Sequence, residues 1–439
     1  MTAAPQRQPR VTMFVYNNMV HDARVRKEAR TLAEAGYEVT VLAVLEPGVT
    51  PREEWVHRFC ILRMSRSILG ISRREIAAGV ARRRAGRLVG AHGCPPSQVR
   101  RPAVPRSPAL RGRAVSALEA IVKSLLFPLR RVLVFLRFVR AALRTRADVY
   151  HAHDLNTLLM AWTASRLRRK LLIYDTHEIA TNRADMTFRW WAALLERALI
   201  GRADRVICTN QTRANFTQKL YDIPPPAILR NLPAYVEPRP STLMHERLRL
   251  PADAKIVLYQ GGIQPERGLE QLMEAAPEIA GGVIVFLGSG RSKPKLMARA
   301  AELGLESKVY FHEAVPVEEL PSWTACAYLG LQILQNTCFN HYSSLSNKLL
   351  ECMMAGVPVI TNDLPEMRRV IEDTGAGVII DASDPHAIAR AVNALLADPA
   401  SRERMSRKAL ENRRRYCWET EEHKLVELYA ELGLGPAPP

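Results

Sequence analysis

The chain has 439 residues, more than one ordinary core holds, and suits two domains of roughly 200 residues facing a cleft. A hydrophobic share of 47% describes a globular protein, and no apolar run approaches the roughly 20 residues of a membrane span, so a bilayer-spanning protein is excluded. The net charge of +18 sits in one place: 20 of the 62 Lys and Arg, but only Glu75 and Glu119 of the 44 acidic residues, fall between Ile61 and Ala147.

The start, MTAAPQRQPRVTMFVY, passes from a short polar tail into a first strand without a signal-peptide pattern, which predicts a cytoplasmic address. VTMFVYNN, ARVRKEARTLAEAG and YEVTVLAV then read as strand, helix and strand, with Val25, Ala29, Leu32 and Gly36 on one helical face. The basic segment 61–147 follows as an insertion. Its Pro- and Arg-rich part, 91–113, predicts a loop. Residues 114–146 predict a basic amphipathic helix with Lys123, Arg130, Arg137, Arg140 and Arg144 on one side and Ile121, Leu125, Val132, Phe135, Val139 and Leu143 on the other. Such a helix suits an anionic membrane interface, each basic residue adding about 1 kcal/mol; the alternative is a helix that packs on its own domain with solvated arginines. Nucleic acid is not expected, because no helix-turn-helix, zinc-finger or aromatic-rich RNA signature accompanies the charge.

Further strands are predicted at DVYHAHD, LLIYDTHE and DRVICTN, each followed by a helix-compatible stretch. A Pro-rich linker is placed at 234–253, after an N-terminal domain over 1–233. A second series opens at KIVLYQGG and runs through GGVIVFLGSG, SKVYFHEAV, AYLGLQIL, GVPVITND and GAGVIID, giving a C-terminal domain over 254–415 and a C-terminal helix and tail over 416–439. Both halves read as doubly wound Rossmann-like α/β domains, whose ligands sit at the C-terminal ends of the strands. The seven cysteines (Cys60, Cys94, Cys208, Cys326, Cys338, Cys352 and Cys417) have no CxxC or Cys/His metal spacing and an odd count, which predicts reduced, packing thiols and no metal site.

SLSNKLLECMMAGVPVI carries the most chemistry. A helix start offers free N–H groups to phosphate oxygens. Ser344 to Asn347 are expected to supply capping there, and Lys348 adds a full charge. Glu351, three positions on, faces the same way and suits the two hydroxyls of a ribose. The bland alternative is a surface Lys–Glu pair worth a few tenths of a kcal/mol. YQGGIQPERGLEQL brings Gly261 and Gly262 to a strand end and Arg267 to the next helix start, where it can clamp the same diphosphate.

With DARVRKEARTLAEAGYEVTVLA, DVYHAHDLNT, YDTHEI, ADRVICTN, ILRNLP, YQGGIQPERGLEQL, FLGSG and SNKLLECMMAGVPVI in this order, the chain resembles the retaining glycosyltransferases of GT-B family 4 over nearly all its length outside the basic insertion. The resemblance implies a nucleotide-sugar donor, with Glu351 on the ribose, Arg267 and Lys348 on the diphosphate, and the base near His312 to Val315. It implies that His153, followed by Asp154, is aimed at the donor sugar, with His177 a second candidate. It implies front-face attack, in which a donor phosphate oxygen takes the acceptor's proton. The chain departs from the family pattern at Ser343, eight residues before Glu351, where members often carry a glutamate that touches the sugar. It departs again at Gly261-Gly262, where many have Gly-Arg. No Asp-x-Asp motif holds a metal, so no cofactor is expected. The basic insertion on the acceptor side points to a lipid-linked or glycan acceptor in cell-surface biosynthesis, and to peripheral attachment at the inner face of the membrane. A nucleotide-sugar 2-epimerase of the same fold and a non-catalytic, membrane-docked partner in a glycan assembly complex are the rival readings.

Overall fold

The structure, a computed structural model, describes residues 7–67, 128–180, 189–237 and 239–435. Readings that fall on 68–127, including the start of the expected basic helix, lie outside the described residues. Two sheets organise the chain. The first joins β1 (Arg10–Phe14), β2 (Glu38–Val44), β3 (Glu53–Val56), β4 (Phe59–Met64), β5 (Val149–His153), β6 (Leu171–Thr176), β7 (Arg205–Cys208) and β8 (Ala227–Ile228) in the order β3-β4-β2-β1-β5-β6-β7-β8. The second joins β9 (Ile256–Gln260), β10 (Val283–Leu287), β11 (Val309–His312), β12 (Leu329–Gln332), β13 (Val359–Asn362) and β14 (Gly377–Ile380), all parallel, in the order β11-β10-β9-β12-β13-β14.

The strands read from the sequence are all present, and their composition explains why. Parallel strands are covered on both faces and therefore need apolar residues at successive positions. On β9, Val257 and Tyr259 enter one cluster with Ile284, Phe286, Leu329 and Leu331. Ile256 and Leu258 point the other way, into a second cluster with Val285, Leu287, Met353 and Val359. At the other end of the chain, Asp22 caps the Ala23–Glu34 helix by accepting from the Val25 amide at 3.0 Å, and Val25, Ala29 and Leu32 are fully buried as the face predicts.

By internal contacts the chain divides into two compact units, residues 1–175 with 202–205 and 432–439, and residues 176–201 with 206–431. Residues 176–201 and 206–233, placed by the sequence in the N-terminal domain, group with the second unit, where Asn210 and Arg213 bond to residues 340–343. A short helix, Leu243–Leu248, forms inside the expected linker.

Two expectations about the insertion change. It does not begin at Ile61, because Phe59–Met64 is a core strand paired in parallel with β2 and antiparallel with β3. Residues 128–144 do form a helix, but it seats Val134, Phe138, Val139 and Ala142 on its own domain, with the Phe138 ring 6.5 Å from Phe14. Arg137, expected on the solvated basic side, instead donates to the carbonyls of Ser65 and Ser67. The exposed side is a mixed stripe: Leu129, Val132 and Leu136 at 47%, 53% and 53% exposure, continued by Arg140 and Arg144. Among the described residues no helix is long and apolar enough to cross a membrane.

Phe138 anchors this helix. Truncating it (Phe138→Ala) is expected to cost about 3–5 kcal/mol in denaturant unfolding.

Candidate functional site

In the second unit, β9 ends at Gln260 and the chain turns at Gly261, whose φ of 110° is a left-handed value that favours glycine. A Cβ on Gly261 would also lie 2.4 Å from Lys348 Cε, so a side chain there would require the lysine to move. Lys348 lies against this turn from the first turn of the Asn347–Met354 helix. Its ammonium donates to Tyr259 Oη at 3.0 Å and stands 4.7 Å from the centre of that ring, while Tyr259 Oη donates to the Gly262 carbonyl at 2.9 Å.

Burial pushes the Lys348 ammonium down to about 7, and the neighbouring charge of Arg267 adds to this against the opposing pull of Glu351. Burial likewise pushes Tyr259 up to about 12, so the lysine's hydrogen-bond partner is a neutral phenol. Arg267 makes no hydrogen bond or ion pair among the described residues, yet its charge also adds to the burial that lowers His341. The charge of Arg267 thus acts on both Lys348 and Tyr259 beside the glycine turn. That arrangement favours an anionic ligand.

Glu351, one turn beyond Lys348, accepts from Gln260 Nε2 at 2.7 Å, and Gln260 Oε1 in turn accepts from Thr324 Oγ1 at 2.8 Å. This buried relay fixes the carboxylate. Beside it opens a cavity of about 620 Å³ whose lining includes Tyr235, Glu318, Leu320, Thr324, Glu351 and Met354. The size suits a nucleoside-sized ligand.

The expected capping by Ser344 to Asn347 takes another form. Ser346 is the N-cap, but its side chain makes no cap bond; its carbonyl accepts from the Leu349 amide at 3.2 Å. The His312 carbonyl accepts from the Gly288 amide and His312 Nδ1 lies 2.9 Å from the Glu313 carbonyl, while Val315 packs on the core. That segment is therefore tied to the adjoining strand-end turn.

Ser343 departs furthest from expectation. Placed by the sequence near the sugar, it is fully buried. Its hydroxyl accepts from Arg213 Nε at 3.0 Å and donates to the Phe339 carbonyl at 2.8 Å, and its carbonyl accepts from Asn210 Nδ2 at 2.7 Å. The same guanidinium bonds the carbonyls of Asn340 and His177, so His177 takes part through its backbone.

In the first unit, His153 ends β5 and is buried. Its Nδ1 lies 3.4 Å from Asp175 Oδ2 and 4.0 Å from Glu28 Oε2. Asp154 follows with φ 61° and ψ 163°, a region that is essentially glycine's alone and costs of order 1–3 kcal/mol. Such strain is characteristic of functional sites. The side chains of Glu28, His151, His153 and Asp175 bring ligand-type atoms within 4.8 Å of one another, a set that could hold a metal ion. Arg24, however, already bonds Asp175 at 2.8 and 3.0 Å and pairs with Glu28 at 2.9 Å. A metal cation would have to displace that guanidinium.

Sequence reading missed Arg24, Glu28, Asp175, Tyr259, Gln260 and Arg213. The available signal for the first two was an Arg–Glu pair four apart beside the apolar face Val25–Ala29–Leu32, polar residues where a core stripe runs.

Two family models cover most of the chain: the glycosyl transferase 4-like domain over residues 22–231 and glycosyl transferases group 1 over residues 241–412. The chain belongs to this glycosyltransferase family. A D-inositol 3-phosphate glycosyltransferase of Thermobispora bispora is 28% identical over 327 residues, covering 67% of this transferase and 74% of that one. Sucrose-phosphate synthase of Thermosynechococcus elongatus superposes with a TM-score of 0.73 at 17% identity, covering 97% and 99% of the two chains. The Anabaena protein HepE, solved with UDP, superposes at 0.68 and 13% identity, covering 97% and 100%. These structural likenesses establish the GT-B fold.

Because Lys348 is held near 7 in the folded transferase against 10.5 ordinarily, the unfolded chain binds more protons between those values, and this group makes stability rise with pH across that window. Lys348→Met is expected to raise the ligand-free Tm at pH 7 and to remove that part of the pH dependence, as read by thermal unfolding from pH 6.5 to 9.

Proposed function

We propose that this transferase moves a sugar, with retention, from a nucleotide diphosphate donor to a membrane-associated lipid or glycan acceptor, and that it does so without a metal. What carries the reading is Lys348 packed on the Gly261 turn, with the charge of Arg267 acting on it, beside the fixed carboxylate of Glu351. The diphosphate meets the two cations and the backbone of the turn, and Glu351 accepts from the ribose hydroxyls. As the bond between the anomeric carbon and the phosphate oxygen breaks, negative charge grows on the diphosphate, where the cations stabilise it, so they act more strongly in the transition state than in the ground state. The acceptor oxygen bonds to the same face of the anomeric carbon, and its proton passes to a phosphate oxygen of the leaving group. His153 positions the sugar. Ser343, buried against Arg213, offers no acidic sugar contact in this scheme.

The acceptor class rests on the exposed stripe Leu129, Val132, Leu136, Arg140 and Arg144, which pairs an apolar edge with basic groups suited to an anionic membrane surface. That surface would hold the transferase peripherally on the inner face of the membrane. Leu136→Asp is expected to reduce co-sedimentation with anionic vesicles while leaving nucleotide binding intact; unchanged sedimentation would remove the membrane part of the reading.

Calorimetry with UDP, GDP and ADP in EDTA tests the donor. One diphosphate is expected to bind, and Glu351→Ala to weaken it by about 10–100-fold, as befits loss of hydrogen bonds to a charged group. Only the ammonium form of Lys348 serves the phosphates, so affinity is expected to fall as pH rises above about 7, with net proton uptake on binding. Absence of binding by any diphosphate would overturn the reading. Product analysis with donor alone separates transfer from epimerisation.

A further inference from the structure

Four titratable side chains stand behind or beside His153, and stability alone does not account for them. Arg24, Glu28, His151 and Asp175 are all nearly inaccessible to solvent, Arg24 being 4% exposed. Burial by itself would lower the Arg24 guanidinium, but the carboxylates of Asp175 and Glu28 outweigh it and hold the group fully charged. Buried ionic clusters of this kind are seldom better for stability than apolar residues of the same volume.

The cluster has a direction. His153 and Asp175 are register partners on the adjacent parallel strands β5 and β6, so their side chains leave the sheet side by side on the same face. Arg24 donates to both oxygens of Asp175 and thereby fixes the plane of that carboxylate. Asp175 Oδ2 in turn lies 3.4 Å from Nδ1 of the imidazole, with Glu28 Oε2 at 4.0 Å from the same nitrogen. The ring of His151 stacks on that of His153 with centroids 4.3 Å apart and limits its rotation. Both carboxylates approach Nδ1, and the backbone strain at Asp154 begins at the very next residue.

We propose that Arg24, Glu28 and Asp175 are positioning residues that keep the proton of His153 on Nδ1 and orient the ring so that Nε2 addresses the substrate. This rests on the reading that His153 serves the donor sugar. Arg24 acts on Asp175, and Asp175 acts on the imidazole, so neither need touch a ligand. A carboxylate facing Nδ1 selects between the two neutral tautomers, whereas an amide in the same place can satisfy either one. Glu28 supplies the second negative charge that holds Arg24 in the low-dielectric interior.

Two measurements test this independently. The first is proton-coupled ¹⁵N NMR of the full chain labelled at histidine, with His153 assigned by the missing signals of His153→Gln. A protonated Nδ1 is expected in the wild type, and an unprotonated Nδ1 would overturn the proposal whatever the transferase turns over. The second is kinetics of Asp175→Asn and Arg24→Lys, each checked for its Tm and for nucleotide diphosphate binding. Both are expected to lose about 10–100-fold in kcat, the usual penalty for removing a group that orients a working side chain, with donor KM changed by less than about twofold. Wild-type kcat in Asp175→Asn would overturn the proposal, as would a loss confined to KM. Should Asp175→Asn not fold, Arg24→Lys and the wild-type NMR still decide the matter. Absence of sugar transfer by the wild type would instead count against the proposed function and leave the NMR test standing.

Discussion

The glycine turn of the second unit depends on a space that only an absent side chain can provide. Lys348 Cε lies 2.4 Å from where a Cβ on Gly261 would sit, so the lysine packs directly on the glycine backbone. The backbone there has a left-handed φ, and the Tyr259 hydroxyl accepts from the ammonium and donates to the Gly262 carbonyl. Gln260, the last residue of the strand, is thereby left facing Glu351. Burying an ammonium next to a second cation is unfavourable in the absence of an anion. The arrangement therefore gives up some stability, an imbalance that an anionic ligand would correct.

The parallel strands were legible because burial on both faces forces long apolar runs, and those runs survive any change of loop. The glycine turn and the Lys348–Glu351 spacing were legible for a related reason: their geometry is local, fixed by one turn of helix and one strand end. The cluster around His153 was not. Arg24 and Asp175 are 151 positions apart, and their meeting depends on where β5 and β6 pair, which no window of sequence contains. The β3–β4 hairpin escaped notice because Arg58 and Arg63 interrupt it, and Arg63 is in fact buried against Glu54 with a 2.6 Å contact. A charged residue at a core position reads as surface until its partner is seen.

The basic helix teaches a similar point about faces. A seven-residue arginine repeat marks one side of an ideal helix, yet the side that meets the domain is chosen by fit, here of Phe138 against Phe14 and Tyr16. Arg137 shares the repeat with Arg130 and Arg144 but is spent on two carbonyls of the chain. Ser343 shows the limit of reading a position by family pattern: the place is the same, while the side chain there holds Arg213. Similarity of fold at 17% identity and below leaves room for such exchanges.

Lys348 and Glu351 project from a helix of only eight residues whose other side, Leu349, Leu350 and Met353, is locked into the apolar cluster under the sheet. The two side chains therefore ride on one rigid piece, and neither backbone position can drift without disturbing the packing beneath both. A shift of this helix would have to be absorbed by the cluster beneath it, a constraint that Tyr235 and Glu318, which line the cavity outside that cluster, do not share.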